Sequence, residues 1–200
     1  MEIWKAGIGK MAGRAIGLDG VVAQQANYAK SGFALAHRDI RYGGLATSSE
    51  ISDIRLVELG FTRPLGLAGG VIAYDRDFFL APRDKFMRAW LSPGGRRTVV
   101  FIENDRILGF GCIRPCHTGS KIGPLFAETP AIAERIFGAL TSRLRGTPIF
   151  LDVPEPNVEA VALAKRHGLE PVFETARMYR GNAPQLPLDR IYGITTLELG

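Results

Sequence analysis

From residue 98 onward, apolar and polar positions fall into short runs whose period changes at each turn signal. Thr98–Glu103 is a strand, Asn104-Asp105 is a tight turn, and Arg106–Pro115 reads as the returning strand. The His117–Ser120 turn leads to a third strand, Lys121–Ala127. The spacing then becomes helical. Ile132, Ile136, Phe137, Leu140 and Leu144 share one face, Thr129 can cap the first turn, Pro130 suits its first position and Gly146 stops it. Pro148–Val153 is an unbroken apolar run that suits a buried strand. Pro154 and Pro156 break it, and Asn157 caps a second helix that closes at Gly168. Two more strands are expected, about Val172–Tyr179 and Arg190–Leu199. Upstream, Phe86, Trp90 and Leu91 mark a short helix with Pro82 in its first turn and a stop at Pro93-Gly94-Gly95. Strands joined by tight turns run antiparallel, whereas the helix between Lys121–Ala127 and Pro148–Val153 makes that pair parallel. The fold class is therefore α/β (α+β): a mixed, mainly antiparallel sheet flanked by helices.

Residues 1–44 repeat part of this pattern. Each copy has an apolar strand ending in Leu-Asp (Leu18-Asp19, Leu151-Asp152), a turn, a helix closed by glycine (Gly32, Gly168), and a strand ending near a tyrosine (Tyr42, Tyr179). The repeat suggests two duplicated units. Residues 1–44 would be the tail of the first, 45–72 a linker with Thr47–Asp53 as its most linker-like part, and 73–200 the whole second unit. A few dozen residues bury too little surface to offset their conformational entropy. The strand Ala15–Leu18, flanked by Trp4, Ile8, Met11, Val21, Val22 and Phe33, should thus pack on residues 73–200, on another chain, or both. A two-fold homodimer is the simplest closed arrangement.

Composition narrows the classes. Apolar residues are 46% and charged residues 22%, the ordinary globular range. No apolar run nears the roughly 20 residues of a membrane span, and the N-terminal stretch lacks a signal-type apolar region, so a cytoplasmic protein without a membrane partner is expected. Cys112 and Cys116, on one strand, lie roughly 13 Å apart, beyond disulfide reach. His37, His117 and His167 show no metal spacing, so no metal is expected. Net charge is +5, but the basic residues are scattered beyond Arg96-Arg97 and Lys165-Arg166, which argues against nucleic acid. A phosphate-bearing co-substrate accounts for that excess equally well. Gly7 and Gly9 are too few for a phosphate loop. Asp75, Asp77 and Arg83 could line a polar pocket or form a solvated salt bridge.

The strand and helix order, with particular residues, resembles the GNAT acyltransferases. NVEAVALAKRHGLEP is similar to that family's terminal helix, in which Asn is followed by Tyr and then Gly-Phe. Asn157, Gly168 and Leu169 match, and Ala164 stands at the tyrosine place. In the first copy Tyr28 and Gly32-Phe33 match, and Val21 stands at the Asn place. The runs GFGCIRPCHTGSKIGPLFA, IFLDVPEPN, FETARMYRG and GITTLELG resemble the second domain of tandem GNAT proteins, and LDGVVAQQANYAKSGF the end of their first domain.

The resemblance implies an acyl-CoA-dependent N-acyltransferase, moving acetyl from acetyl-CoA to a small-molecule or peptide amine. The co-substrate would lie where Lys121–Ala127 and Pro148–Val153 splay apart, against Ile122, Gly123, Leu125 and Asn157. Pro124 lacks an N–H, which fits an interrupted ladder or a plain edge strand. Asn157 is at least a helix cap. Tyr28 would protonate the departing thiolate, since a phenol of pKa about 10 is a donor at neutral pH, or it simply packs its ring. The family's Gly-rich phosphate loop is replaced by AETPAIAE, which has no glycine and carries Glu128. This implies that the second unit binds CoA weakly or not at all, leaving catalysis to the first. The other reading is a non-catalytic GNAT-like binding or interaction module.

Overall fold

A computed structural model describes residues 2–11, 13–47, 52–60, 65–79, 81–92 and 94–198. The chain opens with α1 (Glu2–Lys10), β1 (Ile16–Val21), α2 (Gln25–Lys30) and β2 (Ala34–Leu45). β3 (Leu56–Glu58), α3 (Leu65–Asp75) and α4 (Asp84–Trp90) precede the meander β4 (Arg97–Glu103), β5 (Arg106–Cys116) and β6 (Gly119–Ala127). α5 (Pro130–Thr141), β7 (Pro148–Pro154), α6 (Val158–Arg166), β8 (Glu170–Arg180) and β9 (Ile191–Gly193) follow.

Local chemistry explains the boundaries. Asn104 and Asp105 take φ of 50° and 59°, the left-handed pair that a two-residue hairpin needs. Thr129 Oγ1 accepts from the Ile132 N–H at 3.3 Å with Pro130 in the first turn of α5. Asn157 Oδ1 accepts from the Ala160 N–H at 3.0 Å, and Gly168, at φ 69°, ends the α6 segment.

The sheet runs β1-β8-β2-β7-β6-β5-β4-β3. Only β6–β7 is parallel, and β9 joins β6 off this path. β2 pairs with β7 along Asp39↔Pro154 to Leu45↔Pro148 and with β8 along Ala34↔Tyr179 to Gly43↔Glu170. The first 45 residues are thus woven into the sheet. In the order β1-β8-β2-β7, strands from the two ends of the chain alternate. One core, with Ile136, Phe137 and Leu163, lies between the sheet and α5–α6. The opposite face is covered by α3, α4 and the β9 region around Ile72, Met87, Phe110 and Ile191. Phe33, Ala176 and Met178 form a third cluster with Tyr28 and Ile8.

Two expectations change. The 45–72 linker carries β3, paired with β4, and the start of α3. Of its linker-like part, residues 48–51 lie outside the described residues, as do the Pro93 helix stop and Leu199. The strand expected at Arg190–Leu199 shrinks to Ile191–Gly193 and joins β6, because the segment crosses a gap in the sheet instead of extending its edge.

A candidate active site beside the free edge of β1

Strand alternation sorts β1 into two faces. Ile16 and Leu18 pack toward Phe33 and Met178, whereas Gly17 and Asp19 border a cavity of about 600 Å³ on the α3–α4 side. Asp19 lies opposite Arg177 of β8, and Arg177 lies opposite His37 of β2. A register shift between Leu35 and His37 skips Ala36, which brings His37 and Asp39 to the cavity face. Phe78, Phe126, Ile194 and Leu197 form the facing apolar wall.

The polar wall is under-neutralised. Arg177 Nη1 donates to Asp19 Oδ2 at 2.6 Å, and Arg177 Nε donates to Tyr179 Oη at 3.0 Å. Asp19 Oδ1 and Asp39 Oδ1 are buried and, among the described residues, accept no hydrogen bond. Asp39 is 1% exposed, with His37 Nε2 at 3.6 Å. Burial pushes the Asp19 carboxyl up to about 7; Arg177 opposes the shift and the Asp39 charge adds to it. Asp152, the corresponding Leu-Asp residue of β7, is fully satisfied by comparison. It accepts from Arg41 Nε at 2.7 Å and Nη2 at 3.1 Å and also meets the Lys121 ammonium. Asp19 has the arginine and no lysine, and its second neighbour is the Asp39 carboxyl, whose charge and hydrogen bond favour a proton held between the two.

Tyr28 stands on the other face of β1. A Cβ at Gly20 would lie 2.8 Å from Tyr28 Cδ2, so glycine there is what lets the ring rest on the strand. Trp4 and Phe33 flank it with ring centroids at 5.9 Å and 6.4 Å. The outer edge of β1 faces no strand among the described residues. Tyr28 and the carboxylates therefore flank one open strand edge from opposite sides.

The residues expected to hold acyl-CoA between β6 and β7, Ile122, Gly123, Leu125 and Asn157, have partners within the chain. The strands do separate after Ile122↔Leu151, and the ladder to β5 is interrupted at Gly123-Pro124. Residues 191–195 of the same chain fill the gap. Leu125 pairs with Gly193, and the Ile194 N–H donates to the Asp152 carbonyl at 2.9 Å. A Cβ at Gly123 would come within 2.5 Å of the Thr195 carbonyl oxygen. Asn157 Nδ2 donates to the carbonyls of Leu188, Asp189 and Ile191 at 3.0, 3.2 and 2.9 Å. Where the pyrophosphate would sit, Glu128 receives the Tyr74 hydroxyl at 3.0 Å and pairs with Arg190. Residues 191–195 and Arg190 thus occupy the places that the resemblance assigned to acyl-CoA.

Other singled-out residues have structural partners. Arg83 binds Asp75 through two contacts of 2.7 and 2.6 Å, a buried pair rather than a solvated one, while Asp77 lies 3.6 Å from Arg190. His117 is exposed in its turn, and His167 meets Glu134 at 2.5 Å over the Phe137 ring. Cys112 and Cys116 are free thiols. Among the described residues no group of three His, Cys, Asp or Glu could hold a metal, and no helix is long and apolar enough to cross a membrane. Asp19, His37, Asp39 and Arg177 were not legible as a site. The only signal was the repeated Leu-Asp, which marks the copies and says nothing of the cavity.

Comparison with known proteins supplies the family. Residues 71–193 match the family model described as an acetyltransferase (GNAT) domain. The holothin acyltransferase of Pseudoalteromonas sp. (strain SANK 73390) is 31% identical over 188 residues, which is 94% of this chain and 63% of that protein. A Pyrococcus horikoshii structure assigned as an acetyltransferase superposes with a TM-score of 0.77 at 27% identity, over 100% of this chain and 65% of that one. A functionally unknown Staphylococcus epidermidis protein shares the fold at 12% identity and a TM-score of 0.62. The chain spans less than two thirds of the length of the first two. With its mixed sheet, its terminal helices and this match across most of its length, the chain belongs to the GNAT acetyltransferase family.

Proposed function

We propose that the protein transfers an acyl group from acyl-CoA, acetyl-CoA in the first instance, to an amine bound in the carboxylate-lined cavity. Asp19 takes the proton that the attacking amine loses, and Tyr28 gives a proton to the departing sulfur. The observation that carries this reading is the buried Asp19–Asp39 carboxyl pair, at a cavity beside an open strand edge with a phenol behind that edge. A carboxyl near pH 7 is well matched to take a proton at neutral pH. The open edge offers backbone N–H and C=O groups to the amides of an acyl-CoA arm. The chain is read as the tail of one GNAT unit (residues 1–44) followed by a second unit (73–200), with catalysis in the first. The name of the holothin acyltransferase makes holothin the first acceptor to assay.

The test is release of free thiol from acetyl-CoA by the full-length protein, with holothin and a panel of primary amines. Asp19→Asn should lower kcat/KM by a factor on the order of 10² to 10⁴, the usual cost of losing acid–base help. Wild-type turnover in Asp19→Asn from pH 6 to 9 would remove Asp19 from the chemistry. No thiol release with any amine would leave the non-catalytic binding module as the reading.

A further inference from the structure

The segment that fills the β6–β7 gap is held on every side. Its main chain pairs with β6 at Leu125↔Gly193 and Phe126↔Ile191 and bonds to β7 through the Ile194 N–H and the Asp152 carbonyl. Asn157 gathers three of its carbonyls, Arg83 Nη1 donates to Thr195 Oγ1 at 3.1 Å, and Trp90 Nε1 donates to the Gly123 carbonyl at 3.1 Å behind it. The two closest approaches fall at glycines: a Cβ at Gly193 would lie 2.6 Å from Leu151 Cδ1, and one at Gly123 would strike the Thr195 carbonyl. Tyr192 is 1% exposed. Arg190 pairs with Glu128 just before α5, which ties the start of the segment down by an ion pair. The opposite side of the segment, at Ile194 and Leu197, faces the cavity.

We propose that residues 188–197 are a permanent internal occupant of the β6–β7 cleft, which withdraws that cleft from acyl-CoA and makes Ile194 and Leu197 the specificity wall of the amine cavity. Release of the segment would strip Ile191 and Tyr192 from the core and leave the Asn157 amide and the Asp152 carbonyl without their partners. Buried polar groups left in that way are costly. One segment thereby closes a redundant cofactor site and shapes the acceptor site. The second half of the proposal rests on the acyl-transfer reading, and the first half does not.

Hydrogen–deuterium exchange on the full-length protein, with and without saturating acetyl-CoA, tests the first half. Amides of residues 191–195 should exchange slowly and at the same rate in both conditions, while any protection gained falls on residues 16–30. Faster exchange of 191–195 with acetyl-CoA would mean the segment is displaced and would overturn the proposal. If no peptide responds and no thiol is released, the acyl-transfer reading fails while the closed cleft stands. For the second half, Leu197→Ala should shift the KM of apolar amines at least threefold, with the KM for acetyl-CoA unchanged. Asn157→Ala should loosen 188–194 and raise the amine KM. A raised acetyl-CoA KM with an unchanged amine KM in either variant would sink the wall and restore the cleft to the cofactor.

Discussion

Asp19 shows how much one side chain owes to its surroundings. Its carboxyl, ordinarily near 4, is pushed up to about 7 because burial disfavours the charge more than Arg177 restores it. The folded chain therefore holds this proton more tightly than the unfolded chain, and stability falls as pH rises from about 4 to about 7. Asp19→Asn removes that titration. The melting temperature of the wild type, measured against Asp19→Asn by calorimetry, should be relatively higher at pH 5 than at pH 8. A gap constant across that range would mean the carboxyl titrates normally. In catalysis the sign is opposite, since a proton acceptor must be ionised: kcat/KM should decline as pH drops below about 7. Tyr28→Phe should lower kcat on the order of 10²-fold or more, with little change in acetyl-CoA affinity by calorimetric titration. Tyr28 could be singled out from the sequence because its spacing to Gly32-Phe33 is local. His37 and Asp39 could not, because the register shift that aims them is a property of strand pairing and leaves no mark in the run ALAHRDI.

Among the elements, those with local punctuation were the legible ones. Thr129-Pro130, Asn157, Gly168 and Asn104-Asp105 all do what their side chains or φ angles dictate. α1, β3 and α3 were not read, and β9 was read too long. α1 is held by remote contacts, such as the Trp4 Nε1 bond to Ser31 Oγ at 3.1 Å, and β9 exists only because β6 and β7 leave a gap. The two caps differ in how much depends on them. Thr129 supplies one bond at an exposed helix start, so Thr129→Ala should cost about 1 kcal/mol. Asn157 caps α6 and also holds three carbonyls of the cleft-filling segment, being itself 4% exposed. Asn157→Ala should therefore destabilise by clearly more, since buried carbonyls lose their donor at about 1–3 kcal/mol each before relaxation. Urea unfolding of both variants should place the midpoint of Asn157→Ala below that of Thr129→Ala. The reverse order would mean that the segment does not depend on the Asn157 amide.

At the scale of the whole molecule, the strand–helix–strand patterns were visible but the order of their strands was not. Two such patterns can sit side by side as separate bodies or interlock, and local pattern is the same in both. Physical economy decides it: residues 16–45 are too few for a core of their own, so β1 and β2 take their partners from β7 and β8. β2 bonds along both edges, to β7 and to β8, and carries Tyr42 and Asp39 into buried positions. Removing it would bare two strand edges inside the sheet and invite aggregation. A protease site placed between residues 47 and 52 should therefore cut the chain without separating it. The two pieces should co-elute on size exclusion in native buffer and part only in denaturant, because the strand bonds and the Phe33–Met178 cluster cross the cut. The isolated N-terminal piece should show no cooperative melting by circular dichroism. If the cut pieces separate in native buffer and each still melts cooperatively, they are independent bodies, and the cavity between β1, β8 and β9 would lose the scaffold that sets Asp19 against Ile194.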